Sequence, residues 1–127
     1  MAIVLVVEDE EQVRVLAESI LQEGGHRTIS AANPEEALIV LRSDQPVDLL
    51  FVDLGMDEDF LGGIHLAQEA IKLRPGLPVL YTTGRGVTNA MKALFVEPYG
   101  FLAKPYRVTE LMTALTNMLG SRLSEKS

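Results

Sequence analysis

Five short apolar runs, spaced along a chain of 127 residues, constrain the fold more than any other feature of the sequence. None of them alternates cleanly between polar and apolar residues, as a strand with one wet face would. Runs of this kind, bounded by turn residues, are typical of strands that are buried on both faces in a parallel sheet covered by helices. They occupy residues 3–7, 28–32, 49–52, 79–82 and 100–103.

Helical spacing of apolar residues fills the intervals between these runs, and the first two helices have clear end signals. Gly24 and Gly25 follow the first helix where a C-terminal cap belongs. Asn33 and Pro34 suit the N-cap and the first position of the second helix. Two amphipathic helices are therefore predicted, one on each side of the second strand.

Three further helices are predicted along the rest of the chain. The third should end near Pro75 and the fifth at Gly120. Residues 87–95 offer few apolar positions, and Pro98 cannot continue a helix. The fourth helix should therefore be short.

Strand and helix thus alternate five times. This pattern predicts an α/β fold, a flavodoxin-like doubly wound parallel sheet of five strands in the order 2-1-3-4-5, with five helices. The length suits one domain, over residues 1–120, followed by a polar C-terminal tail, residues 121–127. Ligands of such sheets bind beyond the carboxyl ends of the strands.

Composition limits the classes of partner. The chain has 11 basic and 18 acidic residues and a net charge of −7, which argues against direct nucleic-acid binding and against an acidic membrane surface. It has no cysteine, which excludes disulfides, thiol chemistry and Cys-ligated zinc. The apolar run at the N-terminus is too short for an export signal, and we see no membrane span, so we expect a cytoplasmic protein.

Chemically capable residues directly follow four of the predicted strands. In the predicted order these strands end side by side at one edge of the sheet. Carboxylates brought together there repel, each pair by up to about 4 kcal/mol at roughly 4 Å and an effective dielectric of about 20. A hard divalent cation offsets this repulsion, and Mg²⁺ fits best because it takes few carboxylates and keeps several waters. The residues are Glu8, Asp9, Asp53, Thr83, Gly84 and Lys104.

Asp53 directly follows the apolar run 49–52, which is suited to burial. A charge in a buried position is costly unless it has a partner. Beside Mg²⁺ and Lys104, a carboxylate is suited to accept a phosphoryl group covalently. Phosphoryl transfer needs mainly positioning and charge neutralisation, and the Thr83 hydroxyl and the Gly84 amide could add hydrogen bonds to the phosphoryl oxygens. A carboxylate of this cluster is therefore a candidate nucleophile for phosphoryl transfer.

Four segments, taken together, resemble the receiver domain of two-component response regulators, of which chemotaxis regulators are an example. They read "VLVVEDE", "LLFVD", "VLYTTG" and "GFLAKPY", and the resemblance spans residues 3–119. It implies a phosphoacceptor in a two-component or phosphorelay system, which is a signalling protein rather than an enzyme. The segment "LRPGLPVLYTTG" is also similar to receivers attached to hybrid sensor histidine kinases.

The resemblance implies a role for each residue of the metal and acceptor site. Glu8 and Asp9 would form the acidic metal pair, and Asp53 would be both a Mg²⁺ ligand and the phosphoacceptor. Gly55 would offer a backbone carbonyl to Mg²⁺. Lys104 would bind the phosphoryl group.

The resemblance also implies a switch. Thr83 would be the switch hydroxyl and Phe101 the switch aromatic. A phosphohistidine of a histidine kinase or of a histidine phosphotransfer protein would donate the phosphoryl group. The modification would reshape a face around helix four, strand five and helix five, which binds a downstream protein or the rest of a hybrid kinase chain.

The loop after Asp53 departs from the family's pattern. The family usually has a proline four residues after the phosphoacceptor and a glycine four residues after that proline. Here Asp57 stands in place of the proline, and Gly63 comes two residues later than the family's glycine. The loop is therefore longer and more acidic, and Asp57 to Asp59 are expected to form a solvated turn. Arg85, two residues beyond Thr83, is a candidate for contact with the phosphoryl group by position alone.

Three other functions fit parts of the sequence. One is a receiver-like interaction module that is regulated without phosphorylation, which the altered loop motivates. A second is a small Mg²⁺ phosphatase with an Asp nucleophile, although Gly55 stands where its general acid would be expected. A third is a flavin site at the same sheet edge, where the carboxylates would repel the flavin phosphate.

Several other residues are open to structural interpretations. His26 and His65 lack the spacing of metal ligands and should be surface or turn residues. Tyr99 and Tyr106 fit either a partner surface or a cover over the core. Thr82 competes with Thr83 for the functional hydroxyl, because alternation along a strand lets only one of them face the site, and we favour Thr83.

Overall fold

A single parallel sheet of five strands forms the centre of the protein, in the order β2-β1-β3-β4-β5. The computed structural model describes residues 2–55, 60–84 and 87–126, without the side chains of residues 60 and 121–126. The strands are β1 (Ile3–Val7), β2 (Arg27–Ala31), β3 (Leu49–Asp53), β4 (Val79–Thr83) and β5 (Tyr99–Ala103). The predicted flavodoxin-like fold and its strand order are confirmed.

Each strand is followed by a helix, as the sequence pattern predicts. The helices are α1 (Glu11–Glu23), α2 (Pro34–Arg42), α3 (Phe60–Leu73), α4 (Asn89–Lys92) and α5 (Val108–Lys126). The short fourth helix is confirmed. Within the described ranges, no helix is long and apolar enough to cross a bilayer.

The predicted ends of the first two helices are confirmed by their capping contacts. Gly24 caps α1, and Gly25 has a φ of +90°, a conformation that favours glycine. The side chain of Asn33 accepts a hydrogen bond from the backbone N–H of Glu36 at 2.9 Å, and Pro34 begins α2. These local signals place both helices correctly against the sheet.

The predicted end of the fifth helix is wrong. The helix does not stop at Gly120 but continues to Lys126. Glycine weakens a helix interior by about 1 kcal/mol relative to alanine, but it ends a helix only where the backbone turns into the left-handed region. Within the described ranges, positive φ angles occur at Gly25 and Gly76, so Gly120 shows no such turn.

Two apolar layers sandwich the sheet. One face packs against α2 and α3, and the opposite face packs against α1 and α5. Alternation along β4 sends Tyr81 to the first layer and Leu80 to the second. The central strands β3 and β4 are buried throughout, so their carboxyl ends emerge at one edge between the two layers of helices.

Candidate phosphoacceptor site

Glu8, Asp53 and Lys104 converge at the carboxyl edge of the sheet. Glu8 follows β1, Asp53 is the last residue of β3, and Lys104 follows β5. The two carboxylates are buried, with only 4% of Glu8 and 5% of Asp53 exposed. Residues that are 45 and 51 positions apart are therefore in direct contact, as the strand order predicts.

Lys104 provides the positive charge between the two carboxylates. Its Nζ lies 3.1 Å from Oε2 of Glu8 and 3.1 Å from Oδ2 of Asp53. Burial alone would lower the pKa of Lys104, but the charges of Asp53 and Glu8 outweigh it and raise this pKa above its ordinary value. Lys104 therefore carries a fixed charge in the site at neutral pH.

The proximity of the two acids also affects Glu8. Burial, followed by the hydrogen bond and the charge of Asp53, raises the pKa of Glu8 from 4.5 to about 8. The backbone N–H of Glu10 and the charge of Lys104 act in the opposite direction. One ammonium group thus does not fully offset two buried carboxylates.

Backbone contacts hold Glu8 in place. Its N–H donates to the carbonyl of Ala31 at 3.1 Å, and its carbonyl accepts from the Arg14 guanidinium at 2.8 Å. Its carboxylate Oε1 accepts the N–H of Glu10 at 3.1 Å. The turn between β1 and α1 is therefore folded around the Glu8 side chain.

The Asp53 carboxylate is held by contacts to both oxygens. Oδ1 accepts the N–H of Gly55 at 2.9 Å, while Oδ2 accepts from Lys104. A Cβ on Gly55 would lie 3.5 Å from Oδ1, an ordinary contact, so close packing does not demand glycine here. The amide of Gly55 is engaged with Asp53, and the proposed role of its carbonyl stays a prediction.

The residues at this edge also suit a divalent cation. Glu8, Asp9 and Glu10 each offer a carboxylate oxygen, and these three atoms lie within 4.8 Å of one another. Hard oxygen ligands of this kind are the set that Mg²⁺ prefers. Among the described residues, Asp53 falls outside this trio, but Lys104 links it to Glu8. Sequence reasoning did not single out Glu10, although it is adjacent in "EDE".

The structure separates the two threonines at the end of β4. In the sheet register Thr82 is paired with Asp53. Thr82 lies on the same face as Asp53, and Thr83 follows on the other face by alternation. Both threonines are buried, and Gly84 is exposed, where a Cβ would lie 3.9 Å from Cβ of Lys104. By this alternation Thr82, rather than Thr83, shares the face of Asp53, whereas the sequence favours Thr83 as the residue facing the site. The switch role of Thr83 at the end of β4 stays a prediction.

An aromatic cluster lies in the apolar layer that packs against α2 and α3. Phe95 stacks on Tyr81 with ring centroids 4.1 Å apart, and Phe101 stacks on Phe95 at 6.4 Å. Phe101 is half-buried, and Tyr99 touches Tyr81 and Phe95 by its edge. Phe101 is thus connected through Phe95 to the strand that carries Thr83.

The two histidines and the two tyrosines considered in the sequence analysis lie in different environments. Nδ1 of His26 accepts the N–H of Ala2 at 3.0 Å, and His65 is exposed on α3. Tyr106 packs against the layer beneath α1 and α5, whereas Tyr99 remains 39% exposed. Tyr106 therefore fits a cover over the core, and Tyr99 fits a partner surface.

Two predictions fall on parts of the chain that the structure does not describe. The acidic turn over Asp57, Glu58 and Asp59 lies outside the described residues, as does Arg85. Both remain predictions from the sequence.

Comparison with known proteins identifies the family. The model of the response regulator receiver domain matches residues 4–116. The chain therefore belongs to the response regulator receiver family, whose members are the phosphoacceptor modules of two-component signalling. This confirms the class that the four sequence segments indicated.

Curated relatives agree with this assignment. An NtrX-like response regulator of Rickettsia conorii is 31% identical over 114 residues, which cover 89% of this chain and 24% of that protein. The transcriptional regulatory protein GlrR of Escherichia coli K12 is 33% identical over 116 residues, which cover 91% of this chain and 26% of that protein. The chain thus spans about a quarter of the length of these two relatives.

Solved structures share the fold. NtrX of Brucella abortus superimposes with a TM-score of 0.84 at 29% identity, covering 98% of this chain and 29% of that one. A CheY-like receiver domain protein of Methanospirillum hungatei superimposes with a TM-score of 0.85 over 98% of both chains, and its 21% identity supports the fold alone.

Proposed function

We propose that Asp53 accepts a phosphoryl group in a Mg²⁺-dependent reaction. The observation that carries this proposal is the position of Lys104 Nζ, 3.1 Å from both Asp53 and Glu8 at the carboxyl edge of the sheet. A carboxylate held beside a fixed cation and an acidic trio has the groups that phosphoryl transfer requires.

The proposed reaction is a displacement at phosphorus. A carboxylate oxygen of Asp53 forms the new P–O bond while the P–N bond of a phosphohistidine breaks, and the imidazole leaves with the electron pair. The product on this chain is an acyl phosphate, a mixed anhydride of Asp53. A carboxylate oxygen attacks as an anion and carries no proton, so the step needs no general base.

Different residues of this chain have different proposed roles in the transfer. Gly55 and Lys104 orient the carboxylate before the attack, and the Lys104 charge then faces the phosphoryl oxygens. The Thr83 hydroxyl and the Gly84 amide are proposed to donate to those oxygens. Glu8 and Asp9, with Asp53 and the Gly55 carbonyl, would hold Mg²⁺. A bound Mg²⁺ would neutralise charge on the phosphoryl oxygens.

Modification of Asp53 is proposed to act as a switch. Thr83 would move toward the phosphoryl group, and Phe101 would turn inward and change the face formed by α4, β5 and α5. Contact between Phe101 and Phe95 supports a connection between this face and β4. A ligand or modification shifts such an equilibrium only if it binds one state better, and new bonds to the phosphoryl oxygens would provide that difference.

The partners follow from the family. The proposed donor is a histidine kinase or a histidine phosphotransfer protein in the cytoplasm. Because the chain spans about a quarter of the NtrX-like regulator and of GlrR, the output is proposed to reside in a downstream protein or in another part of a longer chain, including a hybrid kinase. We propose no enzymatic turnover of an external substrate and no direct binding of nucleic acid by this chain.

Labelling with a small acyl-phosphate donor tests the proposal. The purified protein is incubated with acetyl phosphate and Mg²⁺, and its intact mass is recorded with and without a chelator. We expect the mass to rise by one phosphoryl group in the wild type and in Asp44→Asn, an exposed control. Asp53→Asn or chelator should abolish the change. Labelling that survives in Asp53→Asn would contradict the assignment, and absence of labelling in the wild type would favour the phosphorylation-independent module.

A further inference from the structure

The hydroxyl of Thr82 is a buried polar group whose bonding the fold does not explain. Only 3% of Thr82 is exposed, and its Oγ1 has no hydrogen-bond partner within residues 2–55, 60–84 and 87–120. Leaving a buried hydroxyl unpaired costs free energy comparable to a lost hydrogen bond. Native proteins therefore almost always provide such a group with a partner, either from the chain or from ordered water.

A small cavity lies beside this hydroxyl. Its volume is about 10 Å³, which is close to the smallest space that holds one water molecule. Thr82, Glu8 and Asp53 all line it, so a polar molecule there has a hydroxyl and two carboxylates as partners. The rest of the wall is apolar apart from Tyr106, and it comes from Val6, Val7, Val13, Ala17 and Phe51.

The register explains why Thr82 faces Asp53. The two residues are paired across the neighbouring parallel strands β3 and β4. Paired residues of a sheet point to the same face, and Phe51 and Leu80 confirm that face because both belong to the layer beneath α1 and α5. Thr82 thus approaches Asp53 from β4, whereas the known contacts come from Gly55 and from Lys104 after β5.

We propose that one water molecule occupies this cavity and joins Oγ1 of Thr82 to the carboxylates of Glu8 and Asp53. Thr82 is then a positioning residue, which restrains the nucleophile from the side of β4 without touching the phosphoryl group. A water molecule makes about three hydrogen bonds when buried, and Thr82, Glu8 and Asp53 provide three partners on the wall. Threonine is also suited to this position because its branched Cβ limits the hydroxyl to few directions.

High-resolution crystal structures of the wild type and of Thr82→Val test the inference directly. Valine has nearly the shape of threonine but no hydroxyl, so the fold should persist. We expect a water within hydrogen-bond distance of Thr82 Oγ1 and of a carboxylate oxygen in the wild type. In the variant we expect the water to be lost and the Asp53 carboxylate to shift. An empty cavity in the wild type, or an unmoved Asp53 in the variant, would overturn the proposal.

A kinetic test rests on the proposed function and separates positioning from packing. With acetyl phosphate and saturating Mg²⁺, we expect Thr82→Val to phosphorylate about fivefold more slowly or worse, because small losses of alignment reduce rates strongly. Thr82→Ser keeps the hydroxyl and should stay within about twofold of the wild type. A wild-type rate in Thr82→Val, or an equal loss in Thr82→Ser, would refute the positioning role. If the wild type itself is not labelled, the proposed function fails, and the crystal structures still decide the role of Thr82.

Discussion

The ammonium nitrogen of Lys104 lies 3.1 Å from Oδ2 of Asp53, although the two residues are 51 positions apart in the chain. The contact joins the end of β3 to the residue after β5, across the intervening strand β4. It is the closest described link between the candidate nucleophile and a positive charge, and it lies in a largely buried site.

Replacing Lys104 by methionine should destabilise the protein. The substitution leaves the carboxylates of Glu8 and Asp53 close together without their shared cation. Because Lys104 is 23% exposed, solvent screens part of the effect, and we expect a loss of about 1–3 kcal/mol in the free energy of unfolding at pH 8. Urea denaturation in chelator measures it, with the exposed Lys92→Met as control. Equal stability of the two variants would contradict the interpretation.

Through Glu8, the free energy of unfolding should depend on pH in the opposite direction from that given by most carboxylates in folded proteins. Its pKa rises from 4.5 to about 8 on folding. Between these values the folded state binds a proton that the unfolded state has lost, so the free energy of unfolding should fall as the pH rises from 4.5 to 8. The contribution is at most about 1.4 kcal/mol per pH unit.

Comparison with Glu8→Gln isolates this effect. Burial lowers the pKa of His26, so His26 contributes a dependence of the opposite sign, and the difference between the two proteins removes it. Urea denaturation at several pH values in chelator should show that the glutamine variant lacks the decline. If the free energies of unfolding of the two proteins change in parallel from pH 4.5 to 8, folding does not raise the pKa of Glu8, and the prediction is wrong.

Arg74 should be important for stability because it binds the last turn of α2 and the chain that follows it. Its guanidinium donates to the carbonyls of Leu41, Ser43 and Gln45 at 3.1, 2.9 and 2.8 Å. Arg74→Ala leaves these carbonyls without that partner, and we expect a loss of about 1.5–3 kcal/mol. Arg42→Ala, an exposed control in the last turn of α2, should cost less than about 1 kcal/mol. Urea denaturation that ranks the two in reverse would contradict this account.

The Tyr81 hydroxyl should stabilise the segment before β5. It accepts the N–H of Val96 at 3.0 Å in a buried position. Tyr81→Phe keeps the ring stacked on Phe95 but leaves that N–H without its acceptor, so we expect a loss of about 1–3 kcal/mol. The matched control is Tyr99→Phe, at a partly exposed ring. Thermal and urea unfolding should separate the two variants, and indistinguishable curves would count against the buried hydrogen bond.

Much of the fold and the site could be predicted because the signals are local. Apolar runs, the Asn33 cap and Gly25 identify elements, and the alternation of strand and helix then dictates which strand ends meet. Asp53 and Lys104 could be placed together on this basis before any contact was known. The end of α5 could not, because Gly120 alone does not distinguish a weak helix position from a stop.

Other features depend on contacts that leave no local signal. Arg74 resembles any arginine near a helix end, and only the tertiary fold brings it to the carbonyls at and after the end of α2. Thr82 and Thr83 differ by one position, so their faces follow from the register of β4 against β3. The importance of Thr82 for Asp53 therefore becomes visible only in the structure.

The most direct test of the central claim is to locate the acyl phosphate itself. After reaction with acetyl phosphate and Mg²⁺, borohydride reduces an aspartyl phosphate to homoserine, and tandem mass spectrometry of the peptides identifies the altered position. We predict homoserine at position 53 and nowhere else. Homoserine at Asp57 or Asp59 instead, or an unaltered Asp53 in protein whose mass shows the phosphoryl group, would contradict the account.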